Sequence, residues 1–241
     1  MNFDFLYKFH TVSDKSKSAL YSKSIWFSTQ ESLNDPFEGI TKSIFPTSET
    51  EKISKSLTYM GTLISFERGI DKITAMNIVF SEYLKDPDGV LRAIGDQAEM
   101  EHYSEVEKTK AMGIYSTSSD ILGDQRSNVA NMIMWSLYGD SFKGFCIKYN
   151  AKELYRSLKE LNSQDSFAYT KVKYVTEPHE IDIFSIIQKG NFDYIRALQR
   201  KHEQWQHECE CRLICNTTGL KKISRKSVEA VYFGDKRMKG I

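Results

Sequence analysis

The stretch Trp205-Gln206-His207-Glu208-Cys209-Glu210-Cys211-Arg212-Leu213-Ile214-Cys215 holds neither proline nor glycine and ends in apolar residues and cysteine. That composition predicts a strand of a core sheet. Side chains alternate along a strand, so Glu208, Glu210, Arg212 and Ile214 are expected on one face, with His207, Cys209, Cys211, Leu213 and Cys215 on the other. Two carboxylates and a guanidinium spaced about 6.5–7 Å apart then act as one group. An edge strand with a solvated outer face would carry the same pattern. The flanking Trp205 and Leu213-Ile214-Cys215 argue instead for burial, where unpaired charge is unfavourable.

At 241 residues and 40% hydrophobic content the chain can bury a sizeable core. Lys and Arg number 33 against 32 Asp and Glu, so no global field favours nucleic acid or an anionic membrane, and any such contact must come from a local patch. No run approaches the ~20 apolar residues that span a bilayer. Met1-Asn2-Phe3-Asp4-Phe5 lacks the basic and apolar regions of a secretory signal, so a cytoplasmic protein without membrane contact is expected. Neighbouring cysteines on one strand face point the same way with Cα atoms about 6.5–7 Å apart, which does not look like a disulfide framework, and they read as reduced thiols. His207, Cys209, Cys211 and Cys215 would spread over ~26 Å of extended chain, so no zinc or other metal site is expected.

Taken in order, Phe3 to His10 predicts a first strand, and Ser13 caps a short helix through Tyr21. Ser24 to Ser28 predicts a second strand, which runs into Leu33-Asn34-Asp35-Pro36-Phe37-Glu38-Gly39. That is a turn, since Asn and Asp bond their own backbone and Pro fixes φ. Helical stripes through Ile53, Leu57 and Met60 and through Ile73, Met76, Val79 and Leu84 mark 48–112 as a helical insertion within one domain spanning 1–241, broken at Asp86-Pro87-Asp88-Gly89. Further strands are expected over 113–118, 145–149, 167–174 and 228–234. Further helices are expected over 124–138, 150–161, with Asn150 and Glu153 as a capping box, and 191–204. The fold class is α+β, with a mixed, mainly antiparallel central sheet.

Lys221, Lys222, Arg225, Lys226, Lys236, Arg237 and Lys239 flank the last strand, as a solvated surface or as a phosphate or nucleic-acid contact. The chain stops soon after that strand, so a protein partner or oligomer is expected to complete the sheet edge there.

Leu6-Tyr7-Lys8-Phe9, Trp26-Phe27-Ser28 with Asn34-Asp35-Pro36-Phe37-Glu38, Met134-Trp135-Ser136 and Tyr138 with Gly144-Phe145-Cys146-Ile147, Trp205 with Glu208, Glu210 and Arg212, and Val231-Tyr232-Phe233-Gly234 together resemble a bacterial family, domain-of-unknown-function family 2971. The resemblance covers most of the chain outside the helical insertion. It implies no activity by itself.

A second resemblance is to ADP-ribosyltransferases, which present in chain order a basic or His residue on an early strand, an aromatic or Ser-containing strand, and a late strand with the catalytic Glu, often as Glu-x-Glu. Here the order is Lys8 or His10, then Trp26-Phe27-Ser28-Thr29, then Glu208 and Glu210. This resemblance implies an ADP-ribosyltransferase-like sheet and NAD as substrate, bound by Lys8, His10, Trp26, Ser28, Asn34, Asp35, Trp135 and Tyr138. It implies that Glu210 holds the ribose hydroxyls and faces the oxocarbenium charge, and that Glu208 orients or deprotonates an acceptor, protein or nucleic acid, beside Arg212. A toxin or phage-defence effector is the setting it implies. Two other readings stay open. Glu210, Arg212 and Asp35 would suit a Mg²⁺-dependent nuclease, and the other is a non-catalytic binding or sensor module of a host-defence or toxin system.

Overall fold

The computed structural model describes residues 4–120, 128–189 and 192–235. The chain divides into two compact units. Met1–Glu38, Ala111–Thr176 and Lys201–Ile241 form the first, Gly39–Lys110 and Glu177–Arg200 the second.

The first unit is built on a six-stranded sheet, in the spatial order Val228–Phe233, Phe145–Asn150, Phe5–His10, Gly113–Ser119, Glu210–Cys215, Phe167–Lys171. Its pairings are antiparallel, and with the helices they make the chain α+β. Leu6, Tyr115, Ile147, Tyr149 and Leu213 bury one sheet face against Leu154 and Leu158 of the helix Ala151–Leu161. Tyr7, Phe9 and Cys146 bury the other against Met134 and Trp135 of the helix Met132–Tyr138. Both helices start at an Asn cap: the Asn150 side chain accepts from the Glu153 N–H, and Asn131 accepts from Ile133 and Met134. Ser13 and Ser16 form a reciprocal capping box for the helix Asp14–Tyr21.

One irregularity in this sheet positions the site. Phe5–His10 pairs with Phe145–Asn150 along its whole length, but with Gly113–Ser119 only at Leu6↔Ser119 and Tyr7↔Ser118. Beyond Tyr7 the two strands part. On the far side of the gap, Ser28 bridges to Ile114, and the strand Ser24–Phe27 pairs with Gly219–Lys222 rather than joining the main sheet.

The stretch expected to be one strand from Trp205 to Cys215 is two elements. Glu203–Glu208 is a 3-10 helix, Cys209 takes a left-handed conformation at φ 46°, and the strand runs over Glu210–Cys215. His207, Glu208 and Cys209 therefore lie off the strand, and the expected alternation begins only at Glu210. The cause is the i to i+3 bonding of the 3-10 turn, closed by the Cys209 N–H on the Gln206 carbonyl and capped at its start by His202.

Two other expectations change. The helix over 191–204 is shortened to Phe192–Ala197 and followed by the short strand Arg200–His202, and the strand over 167–174 divides into Phe167–Lys171 and Lys173–Val175. Of the helix expected over 124–138, the described part is a 3-10 turn at Asn128–Ala130 and the helix Met132–Tyr138. The rest of that expectation, with Asn191 and the basic residues Lys236, Arg237 and Lys239, lies outside the described residues. The strands Thr41–Ile44, His179–Asp182 and Gly219–Lys222 were not expected.

The second unit holds the helices Glu49–Arg68, Lys72–Lys85 and Pro87–Lys110. Ser48 and Asp71 cap the first two. The helices bury Leu57, Tyr59, Val79, Ile94 and Ala98 with Ile181, Ile183, Phe184 and Tyr194, while Thr41–Ile44 pairs in parallel with His179–Asp182. Among the described residues no helix is long and apolar enough to cross a membrane.

Candidate functional site

The site is assembled from four segments of the first unit. Glu210 and Arg212 share a face of their strand, opposite Ser118 and Ser116. Glu208 reaches the same place from the end of the 3-10 helix. Glu38 comes from the Asn34 to Glu38 turn, which is fixed by Asp35: one Asp35 oxygen accepts from the Phe37 N–H at 2.9 Å, the other from the His202 N–H at 2.9 Å. The second of these bonds ties the turn to the short strand that carries Lys201.

Five charged side chains meet there, all almost completely buried. Arg212 holds Glu210 bidentately, Nε to Oε1 at 2.7 Å and Nη2 to Oε2 at 3.1 Å, and lies 2.7 Å from Glu38. Lys201 Nζ lies 2.6 Å from Glu208, 3.0 Å from Glu38 and 3.2 Å from Glu210, and also donates to Asn34 Oδ1 at 3.1 Å. Tyr138 donates its hydroxyl to Glu208 Oε1 and accepts from the Asn34 amide. Three carboxylates thus share two cations, and Asn34 and Tyr138 bond to the cluster beside them.

The carboxylates differ in protonation. Burial alone would raise Glu210, but Arg212 and Lys201 outweigh it and hold the carboxyl down at about 2. For Glu38 burial wins over Arg212 and Lys201 and pushes it up to about 7, and neither of its oxygens accepts a well-aligned hydrogen bond. Burial lowers Lys201 less than the three carboxylates raise it, so it stays cationic. Tyr138 is raised by burial and by Glu208, and remains a donor.

A pH-dependent stability difference follows. Glu38 binds its proton more tightly folded (about 7) than unfolded (4.5), so its ionisation destabilises the fold as pH rises through that window, by about 3 kcal/mol when complete. Gln cannot ionise. The unfolding free energy of Glu38→Gln minus that of the wild type should therefore rise by about this amount between ~pH 5 and ~pH 8. Denaturant titrations at the two pH values measure it, and a difference that does not change with pH would mean that Glu38 ionises normally. The comparison with wild type is needed because His10, pushed down to about 3 by burial and by Lys8, has the opposite sign, with stability lost as pH falls from 6.5.

Glu208, Glu210, Lys201, Asn34 and Tyr138 form one end of a cavity of about 750 Å³. It opens where Phe5–His10 and Gly113–Ser119 part, because consecutive residues of both strands, Tyr7 to His10 and Ile114 to Ser118, line it. Its walls include Ile25, Tyr115, Tyr149 and Ile223, and its exposed mouth Lys15, Lys23, Trp26 and Arg225. Lys8 stands 5.2 Å over the Tyr115 ring, its ammonium lowered by burial against the pull of Glu210 and Glu208. His10 stacks on Phe145, and its Nε2 has no hydrogen-bond partner among the described residues.

The structure brings Lys8, His10, Trp26, Ser28, Asn34, Tyr138, Glu208 and Glu210 to this one cavity. It does not bring the other three candidates there. Arg212 is wholly buried behind Glu210, and Asp35 fixes its turn. Trp135 packs edge-on against Phe9 and donates to the Val129 carbonyl. Sequence reasoning missed Lys201 and Glu38, the two residues that complete the cluster. The Asn34 to Glu38 turn carried a signal for Glu38, and Lys201 lay hidden inside an expected helix.

The family model described as Protein of unknown function (DUF2971) matches residues 134–213, a stretch that holds Trp135, Tyr138, Lys201, Glu208, Glu210 and Arg212, and so shows the first resemblance over that part of the chain. No curated protein and no solved structure matches.

Proposed function

We propose, for a chain whose residues 134–213 match a family of unknown activity, that the first unit binds NAD and cleaves its nicotinamide glycosidic bond. ADP-ribose would pass to a protein or nucleic-acid acceptor, or to water. One observation carries this reading: Lys8, His10, Ser28, Asn34, Glu208 and Glu210, distant in sequence, line a single cavity whose about 750 Å³ suits a small organic ligand. Trp26, 58% exposed, offers its face to a flat ring. The exposed Lys15, Lys23 and Arg225 suit phosphate groups, and the carboxylate end suits ribose hydroxyls.

When the bond from ribose C1′ to the nicotinamide nitrogen breaks, its electron pair leaves with the ring, which becomes neutral, and positive charge develops on the ribose. The acceptor then bonds to C1′ and loses a proton. Negative charge fixed beside the ribose stabilises this transition state more than the ground state. The geometry favours Glu208 for that role over Glu210, because Glu208 is held by one cation and a neutral hydroxyl, whereas Glu210 carries Lys201 and a bidentate Arg212. Glu210 and Arg212 then serve to hold Lys201 and Glu208 in place.

A cytoplasmic setting accords with the free thiols. A toxin or antiviral-defence effector accords with consumption of a shared cofactor. Val228–Phe233 pairs on one side only among the described strands, so a partner or second copy would complete the sheet there.

The test is incubation of purified protein with NAD, following nicotinamide by chromatography, with calorimetry for binding. Binding with slow release is the expected result. Neither binding nor release, with cell lysate added as a source of acceptors, would remove support for the reading. Binding without release would favour a non-catalytic nucleotide-binding module, the reading that the fully paired Glu210 supports. A Mg²⁺ site at Glu210 and Asp35 is not favoured, since Asp35 has both oxygens on backbone N–H groups.

A further inference from the structure

The cavity mouth differs in charge from the rest of the molecule. Overall the chain carries 33 basic and 32 acidic residues, but residues 13–28 and 219–226 carry seven Lys and Arg against one acid, Asp14. The fold joins these two segments: Gly219–Lys222 pairs with Ser24–Phe27, and the Ile223 N–H donates to the Lys23 carbonyl at 2.8 Å. Alternation sorts their side chains. Lys221 turns inward and pairs with Asp165 at 2.9 Å, while Leu220 and Lys222 turn outward beside Trp26. Lys15, Lys23, Lys222 and Arg225 are exposed, and among the described residues none has an ion-pair partner.

Aromatic surface accompanies this charge. Trp26 is 58% exposed and Tyr21 82%, both at the mouth, with Leu220 opposite Trp26 at 60%. Exposed rings set among unpaired cations are the arrangement that holds single-stranded nucleic acid, with bases stacking on the rings and phosphates meeting the cations.

We propose that this mouth binds single-stranded nucleic acid and presents one nucleotide to the cavity. An anionic membrane would also meet rings and cations, but a membrane surface delivers nothing to a cavity of about 750 Å³ behind them, whereas a strand end or unstacked base fits it. As the acceptor of the proposed transfer, the nucleic acid rests on that reading. As a ligand of the surface it does not.

The test uses the full chain, with fluorescently labelled dT and U oligonucleotides of about 20 residues followed by anisotropy at ~50 and ~200 mM salt. Both are expected to bind, more weakly at the higher salt. Lys222→Ala with Lys226→Ala, two exposed residues outside the cavity lining, should weaken binding and flatten its dependence on log salt by about 0.7 for each phosphate no longer neutralised. Trp26→Ala should weaken it roughly 5- to 100-fold by removing a stacking platform, with thermal melting to check that the fold persists. Absence of binding at the lower salt, or binding indifferent to both variants, would overturn the proposal. Phosphatidylserine vesicles bound with the same dependence on these residues, in place of oligonucleotide, would overturn it in favour of a membrane. Oligonucleotide binding by a protein that releases no nicotinamide would leave the surface standing and the reaction unsupported.

Discussion

Replacing Arg212 by methionine is expected to lower the unfolding free energy by about 3–5 kcal/mol, because it leaves Glu210 and Glu38 buried with only Lys201 as counter-ion. Arg212 is fully buried, so water cannot replace the missing guanidinium without opening the structure. Arg212→Lys should fall between the two, since an ammonium keeps the charge but not the two-pronged grip on Glu210. Removing the opposing charges as well, with Glu38→Gln and Glu210→Gln in the same chain, should recover much of the loss, because the penalty comes from uncompensated carboxylates rather than from a missing attraction. Urea titrations of the four proteins measure this. An Arg212→Met protein within about 1 kcal/mol of wild type would mean that the cluster is solvated in solution, as surface ion pairs are.

The second large effect concerns rate. If the glycosidic bond is cut in the cavity, Glu208→Gln should reduce nicotinamide release by about 10² to 10³ while NAD binding changes little, since Gln keeps the shape and removes the charge that faces the developing cation. Glu210→Gln should act differently. Its carboxylate is already matched by Arg212 and Lys201, so the variant should lose stability first and rate through the displacement of Lys201. Calorimetric affinity, initial rates and denaturation measured together separate these outcomes. The opposite ranking, with Glu210→Gln the inactive and stable protein, would restore the roles implied by the ADP-ribosyltransferase resemblance.

Those roles show where sequence reading succeeds and where it stops. Strands such as Phe145–Asn150 and helices such as Ala151–Leu161 were legible because a local pattern, alternation or a capped apolar stripe, agrees with the tertiary structure. Glu210 and Arg212 were legible as neighbours for the same reason. The left-handed turn at Cys209 was not, since neither Gly nor Asn marks it. Nor was Lys201, which lies on a three-residue strand too short to show a period and is a residue type almost never buried. Glu38 joins the cluster through an Asp35 bond to a backbone N–H 167 positions away, and no window along the chain contains both ends of that bond. The cavity depends on where two strands stop pairing, which is a property of register rather than of composition.

The parting of Phe5–His10 from Gly113–Ser119 also bears on how such a pocket recognises a ligand. Across the gap, the backbone between Lys8 and His10 faces the backbone between Tyr115 and Thr117 without ladder pairing, and both segments line the cavity. A flat, hydrogen-bonding ring lodged there would be read by peptide groups, which every sequence that keeps the same chain path presents alike. Side chains lining the rest of the cavity then decide which ring is accepted without dismantling that recognition. Such a pocket is marked as much by the place where a six-stranded sheet comes unzipped as by the side chains around it.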